Sequence, residues 1–229
     1  MRVRVAAASA CLLAALAFAG SASAGVIGLY RNNMESTGLQ AQIANLSGER
    51  CKRGGSGHAF RVFIGKETKE CAYRTPVIGR DVEIAAAGRL LQGTPKPAQK
   101  KSFLALDLRA GGAARYQLAV FPLQRKAQLL RYGGEGQVKY LRVARAIRTK
   151  GINKANELRL RAFNVTQGAE KGTCQVMAWV GKQLVADVTD TASGELQGRA
   201  SGFSLGAVGN AKGVLGSFDD VVVRAPSPY

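Results

Sequence analysis

The chain has 229 residues, of which 33 are lysine or arginine and 15 are acidic, giving a formal net charge of +18. A charge of this size favours anionic partners, and it is concentrated between residues 100 and 161, where fifteen basic residues outnumber three acidic ones. The single histidine excludes zinc sites that need several imidazoles.

Residues 1–24 predict a secretory signal peptide. Arg2 and Arg4 precede a short apolar run, and the run ends in Ala22-Ser23-Ala24, small residues suited to a cleavage site. The run is shorter than the ~20 apolar residues of a membrane span, although an uncleaved anchor stays an alternative. We expect a mature chain, residues 25–229, that is secreted or held at the cell surface and has no further membrane span.

The mature chain predicts a single all-β domain, residues 25–229. Glycines spread between short apolar runs match tight turns between many strands. Over residues 138–147 the apolar positions also recur at helical spacing, so strand and helix both stay open there. The predicted strands are 58–64, 71–75, 81–91, 102–109, 115–122, 127–132, 138–144, 156–165, 174–180, 184–189, 201–206 and 214–224.

The last third of the chain has the clearest strand pattern. Leu158 and Leu160 alternate with arginines, which is the period of a half-buried strand. Gly181 and Lys182 separate two apolar runs, and glycine in the first central position suits a type II′ hairpin turn. Trp179 precedes this turn; its ring offers a stacking surface for sugars, but the apolar strand around it favours packing in the core.

Four segments of this region, NELRLRAF, WVGKQLVA, GFSLGAVG and SFDDVVV, together resemble concanavalin A-like lectin/glucanase domains, including the laminin G-like group, most clearly from Asn156 to Arg224. The resemblance implies a jelly-roll sandwich of two antiparallel sheets. Its members range from glycan binders and adhesion modules to glycosidases, so the fold alone does not choose a function. Some bind calcium at the rim, where Asp187 and Asp190 are the candidates; no other cofactor and no other metal is predicted.

Three cysteines remain after signal removal, so one of them is unpaired in a monomer. Cys51 and Cys71 flank one apolar strand, and we expect them to form a disulfide worth ~3 kcal/mol in an oxidising compartment. Cys174 begins a strand with a core-facing pattern and is expected to be a buried free thiol. A catalytic pair of Cys174 with His58 stays the alternative.

A dense group of basic residues is the candidate ligand-binding surface. Such a group attracts anionic cell-wall glycans, acidic exopolysaccharides, phospholipid surfaces or extracellular DNA. The alternative is a solvated strand face that keeps the domain soluble. On charge alone, nucleic acid stays a possible ligand. Tyr140 is the one aromatic residue within this basic group, so stacking of bases on aromatic rings has little support. The group consists of Lys139, Arg142, Arg145, Arg148, Lys150 and Lys154.

No catalytic residue is assigned. Asp81 and Glu83 are the candidate carboxyl pair, but the E-x-D-x-x-E pattern typical of the glucanases is missing, and pairing with a nearby arginine explains both side chains. The sequence therefore predicts a non-catalytic binding module for a carbohydrate or an anionic cell-surface polymer. The alternatives are a degenerate or atypical glycosidase or polysaccharide lyase of the same fold, and an extracellular adhesion or structural protein. The oligomeric state stays open.

Overall fold

A computed structural model describes residues 27–47, 51–55, 59–65, 68–135, 137–209 and 213–225. The predicted signal peptide, its cleavage site and His58 lie outside these ranges. The elements in chain order are β1 (Ile27–Asn32), α1 (Thr37–Ala41), β2 (Ala44–Asn45), β3 (Cys51–Gly55), β4 (Phe60–Ile64), β5 (Glu70–Ile78), β6 (Val82–Leu90), α2 (Lys96–Gln99), β7 (Ser102–Gly111), β8 (Ala114–Phe121), β9 (Lys126–Tyr132), β10 (Val138–Arg145), β11 (Asn156–Asn164), β12 (Cys174–Val180), β13 (Gln183–Asp190), β14 (Ala200–Ala207) and β15 (Val214–Ala225).

In the described part of the chain the strands form two antiparallel sheets. The eight-stranded sheet has the order β13-β12-β11-β6-β15-β4-β3, with β1 also paired to β15. The seven-stranded sheet has the order β10-β9-β8-β7-β14-β5-β2. This is the predicted all-β jelly-roll sandwich, and each predicted strand overlaps one of the strands from β4 to β15. The ambiguous segment at 138–147 is a strand, β10.

Alternation of buried and exposed side chains produces the core between the sheets. On β6, Val82, Ile84 and Ala86 are buried, and the residues between them point away from the core. The same period recurs on β11, where Leu158 and Leu160 are buried. Side chains alternate across a strand, so the polar residues between the buried ones lie on the outside of the eight-stranded sheet. Arg159 and Arg161 are examples.

The hairpin between β12 and β13 has the predicted two-residue turn. Val180 pairs with Gln183 across it, and Gly181 adopts a φ of +57°, which a residue without a side chain reaches at little cost. The expectation that Trp179 packs in the core is wrong. Its neighbours Ala178 and Val180 are buried, so Trp179 faces outward, and the Arg159 guanidinium lies 4.0 Å from the centre of its ring.

The cysteines behave as predicted. Cys51 on β3 and Cys71 on β5 form a disulfide, and because these strands belong to different sheets the bond joins the two layers of the sandwich. Cys174 is a buried free thiol, and burial is the main reason that its pKa is raised. No helix among the described residues is long and apolar enough to cross a membrane.

Candidate functional site

The six predicted basic residues lie at one rim of the seven-stranded sheet, and we call Lys139, Arg142, Arg145, Arg148, Lys150 and Lys154 the basic rim. All six are exposed. Three belong to β10, the edge strand next to β9, and three belong to the connection from β10 to β11. The six residues therefore occupy one edge strand and the connection that follows it.

The strand residues of the basic rim do not share a face. Arg142 is paired with Leu129, a core residue, so it lies on the inner side of the sheet edge. Arg145 is paired with Lys126, whose ammonium lies over the ring of Phe121 on the opposite side. Opposed residues of an antiparallel pair point to the same face, which separates Arg142 from Arg145.

A buried amide positions the loop residues of the basic rim. The side chain of Asn156 accepts a hydrogen bond from the Lys150 backbone N–H at 2.7 Å and donates to the carbonyls of Lys150 and Lys154. The Arg148 backbone N–H donates to Gln183 on β13 at 3.0 Å. These bonds hold the loop backbone, so its charged side chains extend into solvent.

A second group of residues, which was not among the predicted site residues, crosses the outer face of the seven-stranded sheet, the face turned away from the core. The strand pairings place six residues side by side across neighbouring strands, with about 4.8 Å between strands and about 24 Å from end to end. We call this the transverse row. Its members, in strand order, are Arg74, Gly202, Asp107, Gln117, Leu130 and Tyr140.

The centre of the row holds two carboxylates that share the same donors. The Gln117 amide donates to Glu70 Oε1 at 2.6 Å and to Asp107 Oδ1 at 3.0 Å. Arg115 donates from Nη2 to Glu70 Oε2 at 2.8 Å, and its Nε lies 3.0 Å from Asp107 Oδ1. Ser204 also donates to Asp107, at 3.3 Å. Each carboxylate is thus fixed in orientation by charged and neutral donors.

The network extends to β9 through Tyr132. The Tyr132 hydroxyl donates to Gln117 Oε1 at 3.1 Å, and the Arg115 guanidinium lies 4.1 Å from the centre of the Tyr132 ring. We call Glu70, Asp107, Arg115, Gln117, Tyr132 and Ser204 the polar network. Its members come from five strands of one sheet, β5, β7, β8, β9 and β14.

Burial controls the protonation of this network. Asp107 is 5% exposed, and desolvation raises its pKa from 3.8 to about 7, with a further rise from the Glu70 carboxylate. Burial opposes the charge of Arg115, but Asp107 and Glu70 outweigh it and raise the pKa of the guanidinium. Burial also raises the pKa of Tyr132. The Asp107 carboxyl therefore holds a proton at a pH where ordinary carboxylates are charged.

An apolar cluster borders the polar network on the outer face. Phe103 and Phe121 pack with ring centres 5.4 Å apart, and Leu130 and Tyr132 belong to the same group. At the far edge, Tyr140 is 60% exposed. Phe103, Phe121 and Leu130 are buried, so the accessible part of this face consists of the partly exposed Glu70, Arg115 and Tyr132 together with Tyr140.

The other candidate residues have structural partners. Asp81 accepts from the buried Arg109 at 2.9 Å and from the backbone N–H of Asn164 at 3.0 Å. Asp190 accepts from the Tyr116 hydroxyl at 2.7 Å inside the sandwich. Asp187 accepts from Gln175. The described residues contain no cluster of three or more side chains suited to hold a metal ion.

The comparisons with known proteins found solved structures with a similar fold but no relative by sequence. Neither a family model nor a curated protein matches the chain. The carbohydrate-binding module CBM66 from Bacillus subtilis is similar over 80% of this chain and 95% of its own, with a TM-score of 0.55 and 12% identity. A Bacillus subtilis protein of unknown function with a galectin-like fold aligns over 89% of this chain and 98% of its own, with a TM-score of 0.58 and 12% identity.

The Crh5 transglycosylase in complex with NAG is similar over 87% of this chain and 84% of its own, with a TM-score of 0.58 and 10% identity. With the two antiparallel sheets already described, these likenesses decide the fold. The chain has a concanavalin A-like fold.

In this concanavalin A-like sandwich the polar network could not be found from sequence spacing. Glu70 and Gln117 are 47 residues apart, and Asp107 and Ser204 are 97 residues apart. A search for carboxylates on one strand therefore misses Glu70 and Asp107. One signal was present: Asp107 and Gln117 interrupt otherwise apolar strands, and a polar residue at a buried strand position needs partners.

Proposed function

We propose that this protein binds a glycan along the transverse row on the outer face of the seven-stranded sheet, without cleaving it. The observation that carries the proposal is the polar network, in which six side chains from five strands hold one another in fixed orientations. Gln117, Ser204 and Asp107 are buried, whereas Glu70, Arg115 and Tyr132 stay partly exposed. These three fixed polar groups suit sugar hydroxyls, and the exposed ring of Tyr140 at the end of the row provides an apolar face.

The same geometry favours binding over catalysis. Asp107 is almost fully buried, and its oxygens are already engaged by Arg115, Gln117 and Ser204, so the carboxyl group is not free to give a proton to a leaving group. An acid that protonates a leaving group must reach that group within hydrogen-bond distance. The likeness to a carbohydrate-binding module and to a transglycosylase complexed with NAG supports a carbohydrate as the ligand.

We place this binding outside the cell, as the predicted signal peptide requires. The disulfide between Cys51 and Cys71 supports this location, because such bonds persist in oxidising compartments.

The test is a glycan array with the mature protein, followed by titration of the best ligand with Tyr140→Ala. We expect this substitution to weaken binding about fivefold to tenfold, since an aromatic contact is worth about 1 kcal/mol. The matched control is Leu184→Ala, which truncates a side chain 47% exposed on β13, the edge strand of the other sheet. Binding unchanged in Tyr140→Ala, or reduced equally in both variants, contradicts the proposed site.

A second candidate function is attraction of anionic polymers by the basic rim, and the exposure of all six of its residues favours it. Replacing Arg142, Arg145 and Arg148 together with alanine should weaken binding to an acidic polysaccharide, while each exposed change alters stability by no more than ~0.5 kcal/mol. Binding of the parent should also fall as salt rises. Full retention of binding by the triple variant would show that these arginines form a solvated surface.

A further inference from the structure

A small cavity lies at the β5 end of the transverse row, next to the polar network. Its volume is about 50 Å³, several times the ~10–15 Å³ that one water molecule needs when cavity volume is measured in this way. The cavity is therefore large enough for a carboxylate group. Its lining includes Leu46, Ala72, Arg74, Asp107, Arg115 and Gly202.

Two guanidinium groups border this cavity. Arg115 forms ion pairs with Glu70 and Asp107, although its buried Nε makes no well-aligned hydrogen bond among the described residues. The Nε atom of Arg74 is buried and has no hydrogen-bond partner among the residues that the structure describes. A buried donor without an acceptor costs about 1–3 kcal/mol, so an acceptor oxygen brought by a ligand would relieve this cost.

We propose that the cavity binds the carboxylate of an acidic sugar, so that the preferred ligand carries a uronate residue at the β5 end of the row. The proposal rests on the proposed glycan binding and adds the substrate class. A guanidinium presents coplanar donors that match the two oxygens of a carboxylate. The selectivity over tetrahedral sulfate rests on this planar match alone.

The groups around Asp107 make such binding dependent on pH. Asp107 faces Glu70 on β5, Arg115 and Gln117 on β8 and Ser204 on β14. Arg74 on β5 lines the same cavity, and the charge of Asp107 acts on Tyr132 on β9. Below about pH 7 the Asp107 carboxyl is protonated and adds no negative charge at the cavity. Above that pH its negative charge repels a ligand carboxylate, so affinity for uronate falls whereas affinity for a neutral sugar does not.

The experiment measures calorimetric binding of a short oligouronate and of the same oligosaccharide with its carboxyl groups reduced to alcohols, at pH 6 and pH 8. A sulfated neutral oligosaccharide of equal length is the third probe. At pH 6 we expect the oligouronate to bind about tenfold more tightly than the reduced form. At pH 8 this ratio of affinities should be smaller. Arg74→Gln should remove this preference, and Arg74→Lys should keep part of it.

Two further variants distinguish binding in the cavity from nonspecific attraction by the positive charge of the protein. Asp107→Asn should abolish the change of selectivity between pH 6 and pH 8, with circular dichroism reporting that the fold is kept. Arg61→Gln removes an exposed charge from the eight-stranded sheet and should leave the preference unchanged.

The outcomes distinguish this inference from the proposed function. Equal binding of the oligouronate and its reduced form, with no effect of Arg74→Gln, overturns the carboxylate site and leaves glycan binding intact. Binding of the sulfated probe as tight as that of the oligouronate overturns the selectivity for carboxylate. Failure of every oligosaccharide to bind overturns the proposed function and this inference with it.

Discussion

The stability of the protein should decrease as pH rises from 5 to 7, because Asp107 must then lose a proton at a buried position on the outer face of the seven-stranded sheet. Burial raises the pKa of this carboxyl from 3.8 to about 7 in the folded protein. Between these values the unfolded chain has released the proton and the folded chain keeps it, so each pH unit costs about 1.4 kcal/mol of stability.

The loss accumulates over a defined range. The contribution of Asp107 is fully present below pH 3.8 and is lost as pH rises to about 7. From pH 5 to pH 7 the expected loss is about 3 kcal/mol, and above pH 7 this carboxyl causes no further change.

The assay is urea denaturation of the parent and of Asp107→Asn at pH 5, 6, 7 and 8. The variant cannot ionise at this position, so the stability difference between the two proteins should shift in its favour by about 3 kcal/mol as pH rises. Asp187→Asn, at an exposed position on β13, is the matched control and should run parallel to the parent. Parallel profiles for the parent and Asp107→Asn would refute the assignment of this pH dependence to Asp107.

Three further results are expected. Replacing Cys51 and Cys71 with alanine should lower the free energy of unfolding by about 3 kcal/mol in denaturant titrations, as predicted for a loop of 20 residues; an unchanged midpoint would contradict this. Cys174 should resist thiol reagents in native protein and react after unfolding, and rapid native labelling would show that it is accessible. Gly206→Ala should destabilise by about 1–3 kcal/mol, because a Cβ there would lie 2.0 Å from Phe103 Cζ, whereas Gly134→Ala meets no atom within 4 Å; equal melting temperatures would argue against the overlap.

The strands were predictable because their signal is local. β12 was predicted with its observed bounds, Cys174–Val180, from the alternation of apolar residues, and the turn after it from one glycine. The short strands β1, β2 and β3 were not predicted. β2 has only two residues, both exposed, and therefore carries no apolar period that could mark it.

The candidate site was less predictable because it depends on the order of strands in the sheet. β14 lies between β5 and β7, so a segment from late in the chain separates two early ones. This insertion determines which residues lie beside Asp107 on the outer face. The basic rim, in contrast, is nearly continuous in sequence, and its charges could be recognised without knowledge of the fold.

The burial of Cys174 bears on how the chain reaches its correct covalent form. Three thiols in an oxidising compartment can combine in three ways within one chain, and a wrong bond is corrected only by attack of a free thiolate. The folded core removes the third thiol from that exchange. Disulfide shuffling, and cross-linking between copies through Cys174, should therefore be confined to chains that have not yet closed the sandwich, which makes complete folding the step that secures the native bond.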